Sequence, residues 1–152
     1  MDIAKAIRFN YLLHGLNEAE IGLVADAAQT KSFMGGDTIV RQFAKDADVM
    51  IVLEGDVRIK TFSGETIADA GPGSVIGEVS LIDDKPRSAT VTSVGPSTLA
   101  MIPAKALWDL MDNHPNIAKN VLSNVGRILC SRLRAANIQL DLGVVREAVV
   151  RN

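Results

Sequence analysis

The sequence predicts a mainly β domain with flanking helices, an antiparallel sandwich or barrel between helical ends. Three observations lead there. Helical spacing of apolar residues marks both ends of the chain. The middle is cut by turn signals at short, regular intervals: Gly35-Gly36-Asp37, Glu54-Gly55-Asp56, Ser63-Gly64-Glu65, Gly71-Pro72-Gly73 and Gly95-Pro96. Between those turns lie short runs of strand character, DTIVRQ, VMIVLEG, DVRIKTF, ETIADA, SATVTSV and STLAMI. Short strands joined by frequent turns belong to antiparallel sheets, because parallel strands need long crossovers.

The chain of 152 residues suits one domain, read as residues 1–152. It divides into N-terminal helices over 1–29, strands over 30–103 and C-terminal helices over 104–152. In the first part Asn17 can cap a helix, with Glu20 three residues on as in a capping box. Ile21, Val24, Ala25 and Ala28 then follow at helical spacing. At the far end Pro103 suits the first turn of a helix, where its missing N–H costs nothing. That helix, AKALWDLMDNH, stops before Pro115. A longer one follows with one apolar stripe, Ile117, Val121, Val125, Ile128, Leu129, Leu133, Ala136 and Leu140. Residues 116–140 as one helix would span roughly 37 Å. A small sheet domain cannot cover that length, so part of the stripe needs another partner.

Composition excludes several classes. Apolar residues make up 47% of the chain, enough for a core without disulfide staples, and Cys130 is the single cysteine. The net charge of −2 argues against a surface built to grip nucleic acid. No signal peptide or membrane-length apolar run is visible, so a cytoplasmic protein is expected. Asp83-Asp84 reads as a solvated turn, not a cation site. His14 and His114 stand apart and are read as structural. Cys130 has no evident His partner and is read as a buried, inert thiol. No catalytic and no metal-binding residue is assigned.

The segment from Gly71 to Val91, GPGSVIGEVSLIDDKPRSATV, carries the candidate site. Its glycines allow sharp turns and close backbone approach to a ligand. Residues 78–82 can form a turn or two of helix, whose first N–H groups favour an anion. Arg87 follows a loop of suitable length to fold back there, and its planar fork of donors suits a phosphate. Ser88 and Ala89 are small enough to bring their backbone N–H groups close. Glu78 would repel a phosphate beside it, and fits better a few ångströms away, accepting from a sugar hydroxyl. Taken alone, the Glu78 and Arg87 pair could equally be a structural ion pair.

GEVSLIDDKPRSATV resembles the phosphate-binding cassette of the cyclic nucleotide-binding domain family, as found in catabolite activators and protein kinase A regulatory subunits. Ile76-Gly77-Glu78, Val79-Ser80-Leu81 and Arg87-Ser88-Ala89 match its pattern in turn, and GGDTIV, MIVLEGDVRI, GPGSVIGE and the Pro103 helix fall in the family's order. The likeness covers the chain from about Leu12 to Ala136. It implies an eight-stranded jelly-roll β-barrel with a C-terminal helical lid and no catalytic activity. It implies that Glu78 binds a ribose 2′-hydroxyl and Arg87 the cyclic phosphate, with backbone groups of Gly77, Ser88 and Ala89 around it, and Ile76 and Val79 beside them. One departure stands out: Phe43-Ala44 occupies the place where the family usually has Gly-Asp.

The ligand expected is cAMP, favoured over cGMP, with no other cofactor. Ser88 is compatible with either base. In the family the last helix caps the base or pairs with its copy, so a homodimer or a partner protein is expected through it. Arg127, Arg132 and Arg134 are read as solvated, with Arg134 and Asn137 the polar candidates for a base contact. The alternative is a degenerate fold kept as an interaction module. An enzyme of the cupin type would need histidines on the strands, which this chain lacks. Twelve residues follow Leu140, too few for a DNA-reading domain, so a sensor without its own output domain is expected.

Overall fold

The computed structural model describes residues 1–61 and 63–151, with side chains as far as Gly143. Two helices open the chain, α1 (Ile3–Phe9) and α2 (Glu18–Ala27). The strands are β1 (Gln29–Phe33), β2 (Thr38–Val40), β3 (Val49–Glu54), β4 (Val57–Lys60), β5 (Thr66–Ala70), β6 (Val75–Ile76), β7 (Thr90–Ser93) and β8 (Ser97–Ile102). Helix α3 (Glu78–Asp83) lies between β6 and β7, and α4 (Ala104–Asn113) and α5 (Pro115–Arg151) close the order. The capping box at α2 forms in both directions. Asn17 Oδ1 accepts from the Glu20 N–H at 2.9 Å, and Glu20 Oε1 accepts from the Asn17 N–H at 2.9 Å. Glu20 is itself buried, where Asn116 of α5 donates to both its carboxylate oxygens.

The strands form two four-stranded antiparallel sheets, ordered β1-β8-β3-β6 and β2-β7-β4-β5. The expected closed barrel is therefore corrected to two separate sheets among the described residues. Closure requires every edge strand to be paired. Here β6 has two residues and β2 three, too short to carry a continuous ladder around the ends.

Strand β3 explains the packing. Its run VMIVLE does not alternate, because both faces are covered. Val49, Ile51 and Leu53 join a core with α1, α2, α4 and the start of α5. Met50 and Val52 face the other way, into a second core with Val40, Val57, Ile76, Val91 and Leu99 from both sheets. One strand thus ties the inter-sheet core to the helical core.

Helix α5 has 37 residues and spans about 56 Å at 1.5 Å per residue. The single stripe read from the sequence divides in two. Ile117, Val121 and Val125 are buried, whereas Leu129, Leu133, Ala136 and Leu140 are exposed, Leu133 at 62%. Cys130 is exposed as well, which corrects the expectation of a buried thiol. It lies past Val125, where the domain no longer covers α5. Among the described residues no helix is long and apolar enough to cross a membrane.

Candidate functional site

The site forms where β6 gives way to α3. Gly77 separates them with φ +92°, a left-handed conformation that glycine adopts without strain. A Cβ there would press on Arg87 Nη1 and come within 2.7 Å of the Asp48 carbonyl oxygen. The position requires glycine for its conformation and again for its neighbours. Helix α3 is held from behind by α4, where Trp108 Nε1 donates to the Leu81 carbonyl at 3.0 Å.

Arg87 is fixed by backbone on both sides. Its N–H donates to the Ala44 carbonyl and its own carbonyl accepts from the Phe43 N–H, both at 2.9 Å. This gives the Phe43-Ala44 departure a structural meaning. Phe43 has φ +69°, in the left-handed region that glycine favours, and its ring is exposed. The loop takes at Phe43 a backbone shape to which a phenylalanine is poorly suited, and still pairs with the Arg87 segment.

The Arg87 side chain is 3% exposed. Its Nη2 donates to the Asp48 carbonyl at 2.6 Å and to Asp46 Oδ2 at 3.0 Å. Its Nε and Nη1 are buried with no hydrogen-bond partner. Buried donors of a permanent cation are almost always satisfied, so two idle ones mark a place for an acceptor. The Glu78 carboxylate is also buried and accepts from Arg132 Nη2 at 3.2 Å. Burial, then the Glu78 carboxylate, holds the nearby Tyr11 phenol well above its ordinary pKa, with Arg132 opposing.

These groups line one cavity of about 340 Å³. Ile76, Gly77, Glu78, Val79, Arg87, Ser88 and Ala89, all singled out in the sequence, meet there. Arg134 and Asn137 do not. Arg134 lies beside Cys130 on another face of α5, and Asn137 is exposed away from the cavity lining. The helix reaches the cavity through Arg132, which corrects the reading of that residue as merely solvated. Helical phasing could have found it: Val121, Val125, Ile128 and Arg132 are spaced four, three and four apart, so they share a face. The opposite wall is apolar, from Val40, Ile59, Ile67 and Val91. Of these Ile67, on edge strand β5, went unnoticed in the sequence because an exposed isoleucine on a short strand carries no signal of its own.

The arrangement thus has an anion end at Arg87, an acceptor at Glu78 and an apolar wall facing them. The profile described as the cyclic nucleotide-binding domain matches residues 30–114, from β1 to the end of α4. The protein named Glutaminase 2 of Bradyrhizobium diazoefficiens is 30% identical over 131 residues, covering 86% of this chain and 21% of that protein. The Cyclic AMP receptor protein of Thermus thermophilus is 32% identical over 141 residues, covering 90% of this chain and 63% of that protein. The crystal structure of the Thermus thermophilus catabolite activator protein matches with a TM-score of 0.74 at 31% identity, over 88% of this chain and 62% of that one. The chain therefore spans less than two thirds of the length of each of these relatives. With the profile covering more than half of its residues, the chain belongs to the cyclic nucleotide-binding domain family.

Proposed function

We propose that this domain binds a 3′,5′-cyclic nucleotide, cAMP in preference to cGMP, and acts as a regulatory sensor and not as an enzyme. The observation that carries the reading is the buried Arg87 guanidinium in the cavity lining, two of whose donors have no partner. A cyclic phosphate supplies the missing acceptors and an anionic partner in addition to Asp46. Glu78 accepts from the ribose 2′-hydroxyl, and Ser88 and Ala89 close around the phosphate. Such charge-assisted bonds contribute roughly 1.5–3 kcal/mol each. The base then lies toward Ile59 and Ile67, with α5 over it. That the relative in Thermus thermophilus is named a cyclic AMP receptor supports cAMP as the ligand. Calorimetry with cAMP and cGMP tests this. Saturable heat with tighter cAMP binding is expected. No saturation with either nucleotide would favour the interaction-module alternative, and tighter cGMP binding that Ser88→Ala removes would reverse the base preference.

The output passes through α5. Arg132 pairs with the same carboxylate that the ribose needs, so the ligand and the helix meet at Glu78. A ligand can shift the helix only through contacts it makes better in one state, and base and ribose against Arg132 and its neighbours are those contacts. The exposed residues Leu122, Gly126, Leu129, Leu133, Ala136, Leu140 and Gly143 follow an alternating four-three spacing, the seam of a two-helix coil. This supports a homodimer through α5, whose geometry the ligand adjusts.

A further inference from the structure

A second cavity, of about 370 Å³, lies between the segment linking α1 to α2 and the middle of α5, lined by residues the nucleotide reading does not use apart from Tyr11 at its border. We propose that it is a separate binding site for a small planar carboxylate with an aromatic body, and that its occupancy is felt at the nucleotide cassette. The volume falls in the range of small-molecule sites.

The walls are built, not incidental. Asn10 is 1% exposed, and its side chain spans two backbones: Nδ2 donates to the Gly73 carbonyl at 3.0 Å, and Oδ1 accepts from the Leu12 N–H at 2.9 Å. From the other side, buried Asn124 of α5 donates to the carbonyls of Leu12 and His14, both at 2.9 Å. The Asn124 bonds hold residues 12–14 against α5, and the Asn10 bonds tie the start of the same segment to the turn before β6. Preformed walls lower the ordering cost of binding.

The lining selects the chemistry. Phe9, Tyr11 and Ile128 offer apolar and aromatic surface, with the Phe9 ring largely exposed. Arg127 stands at the same cavity with its Nη1 on Asn124 Oδ1 at 3.4 Å, a long bond that leaves most of its donor fork for a ligand. His14 and Ser131 add hydrogen-bonding groups. No carboxylate is among the lining residues described, and Glu78, which acts on the Tyr11 phenol at the border, is itself paired with Arg132. An aromatic ring between Phe9 and Ile128 with its carboxylate on Arg127 uses both the apolar surface and the free donors of this lining.

The coupling follows from the same bonds. Gly73, held by Asn10, stands two residues before β6, which leads directly into Gly77 and Glu78. Ser131 is the neighbour of Arg132, which holds Glu78. An occupant that clamps residues 9–14 to α5 therefore reaches both ends of the Glu78 contact.

The test uses nucleotide-free protein and 4-fluorobenzoate as probe, so it succeeds or fails independently of the nucleotide reading. In a titration followed by amide resonances, saturable shifts are expected at Tyr11, His14, Arg127 and Ser131, with smaller ones at Gly73. Neutral 4-fluorobenzamide and the Arg127→Gln variant should each bind about tenfold more weakly, the effect of one lost charge-assisted contact. Ser131→Trp, at an exposed position that leaves the fold intact, should block the cavity. Shifts that do not saturate, that centre elsewhere, or that survive both substitutions would overturn the proposal.

Discussion

The two arginines that face the nucleotide cavity differ in nearly every respect. Arg87 is 3% exposed, held by backbone hydrogen bonds on both sides of its residue, and its side chain sits on the Asp48 carbonyl and Asp46. Arg132 projects from one helix, 57% of its side chain exposed, and makes a single 3.2 Å contact to Glu78. The first is positioned before any ligand arrives. The second is free to rearrange when one does. A buried, preorganised charge loses little on binding, whereas a long side chain reaching a partner from a mostly exposed position is held weakly and is more easily exchanged. Under the proposed function, affinity belongs to the cassette end of the cavity and response to the helix end.

Substitutions can break or sharpen that contrast. The largest effect is expected at Arg87→Leu, which should weaken cAMP binding by at least about tenfold in calorimetry while the domain stays folded. An effect under about twofold would remove Arg87 from the binding account. Gly77→Ala comes next. It forces a side chain into a left-handed backbone against Arg87, and should cost about 1–2 kcal/mol in denaturant unfolding as well as weaken binding. Unchanged stability would mean that the β6–α3 turn is more adaptable than its geometry suggests. Leu133→Glu places a charge in the exposed seam of α5. It should convert dimer to monomer in sedimentation while leaving nucleotide affinity within about threefold. A wild-type protein that sediments as a monomer would contradict the seam. The smallest effect is expected at Arg132→Ala, a change in affinity of no more than about fivefold, since the arginine lost is mostly exposed and its removal frees the buried Glu78 carboxylate for the ribose. A loss as large as that of Arg87→Leu would abolish the distinction between the two ends.

The cassette was legible because its constraints are local. Gly77, Glu78, Arg87, Ser88 and Ala89 fall within thirteen residues, and each is dictated by backbone conformation or charge. The capping box at Asn17 and Glu20 was legible for the same reason. What the sequence hid depends on contacts made far along the chain. Whether β2 and β6 close a barrel depends on pairing between distant strands. Ile67 matters only because β4 and β7 set it opposite the cassette. The fate of the α5 stripe turned on where the domain ends beneath it, which parts Val125 from Leu129 but leaves no mark in the periodicity. Arg132 is the instructive case. It follows the spacing of Val121 and Val125, yet a charged residue past the point where the domain covers α5 reads as solvated until the acid that receives it, Glu78, is seen across the cavity.

Amide hydrogen exchange with and without saturating cAMP reads both ends of the cavity in one experiment. The account predicts slower exchange in residues 77–89, where the ligand adds hydrogen bonds to a preformed site. It also predicts slower exchange in residues 125–140, where α5 moves from a loosely held to a docked position. Slowing confined to 77–89 would show a ligand bound to a helix that does not respond, and no change in either segment would contradict the binding itself.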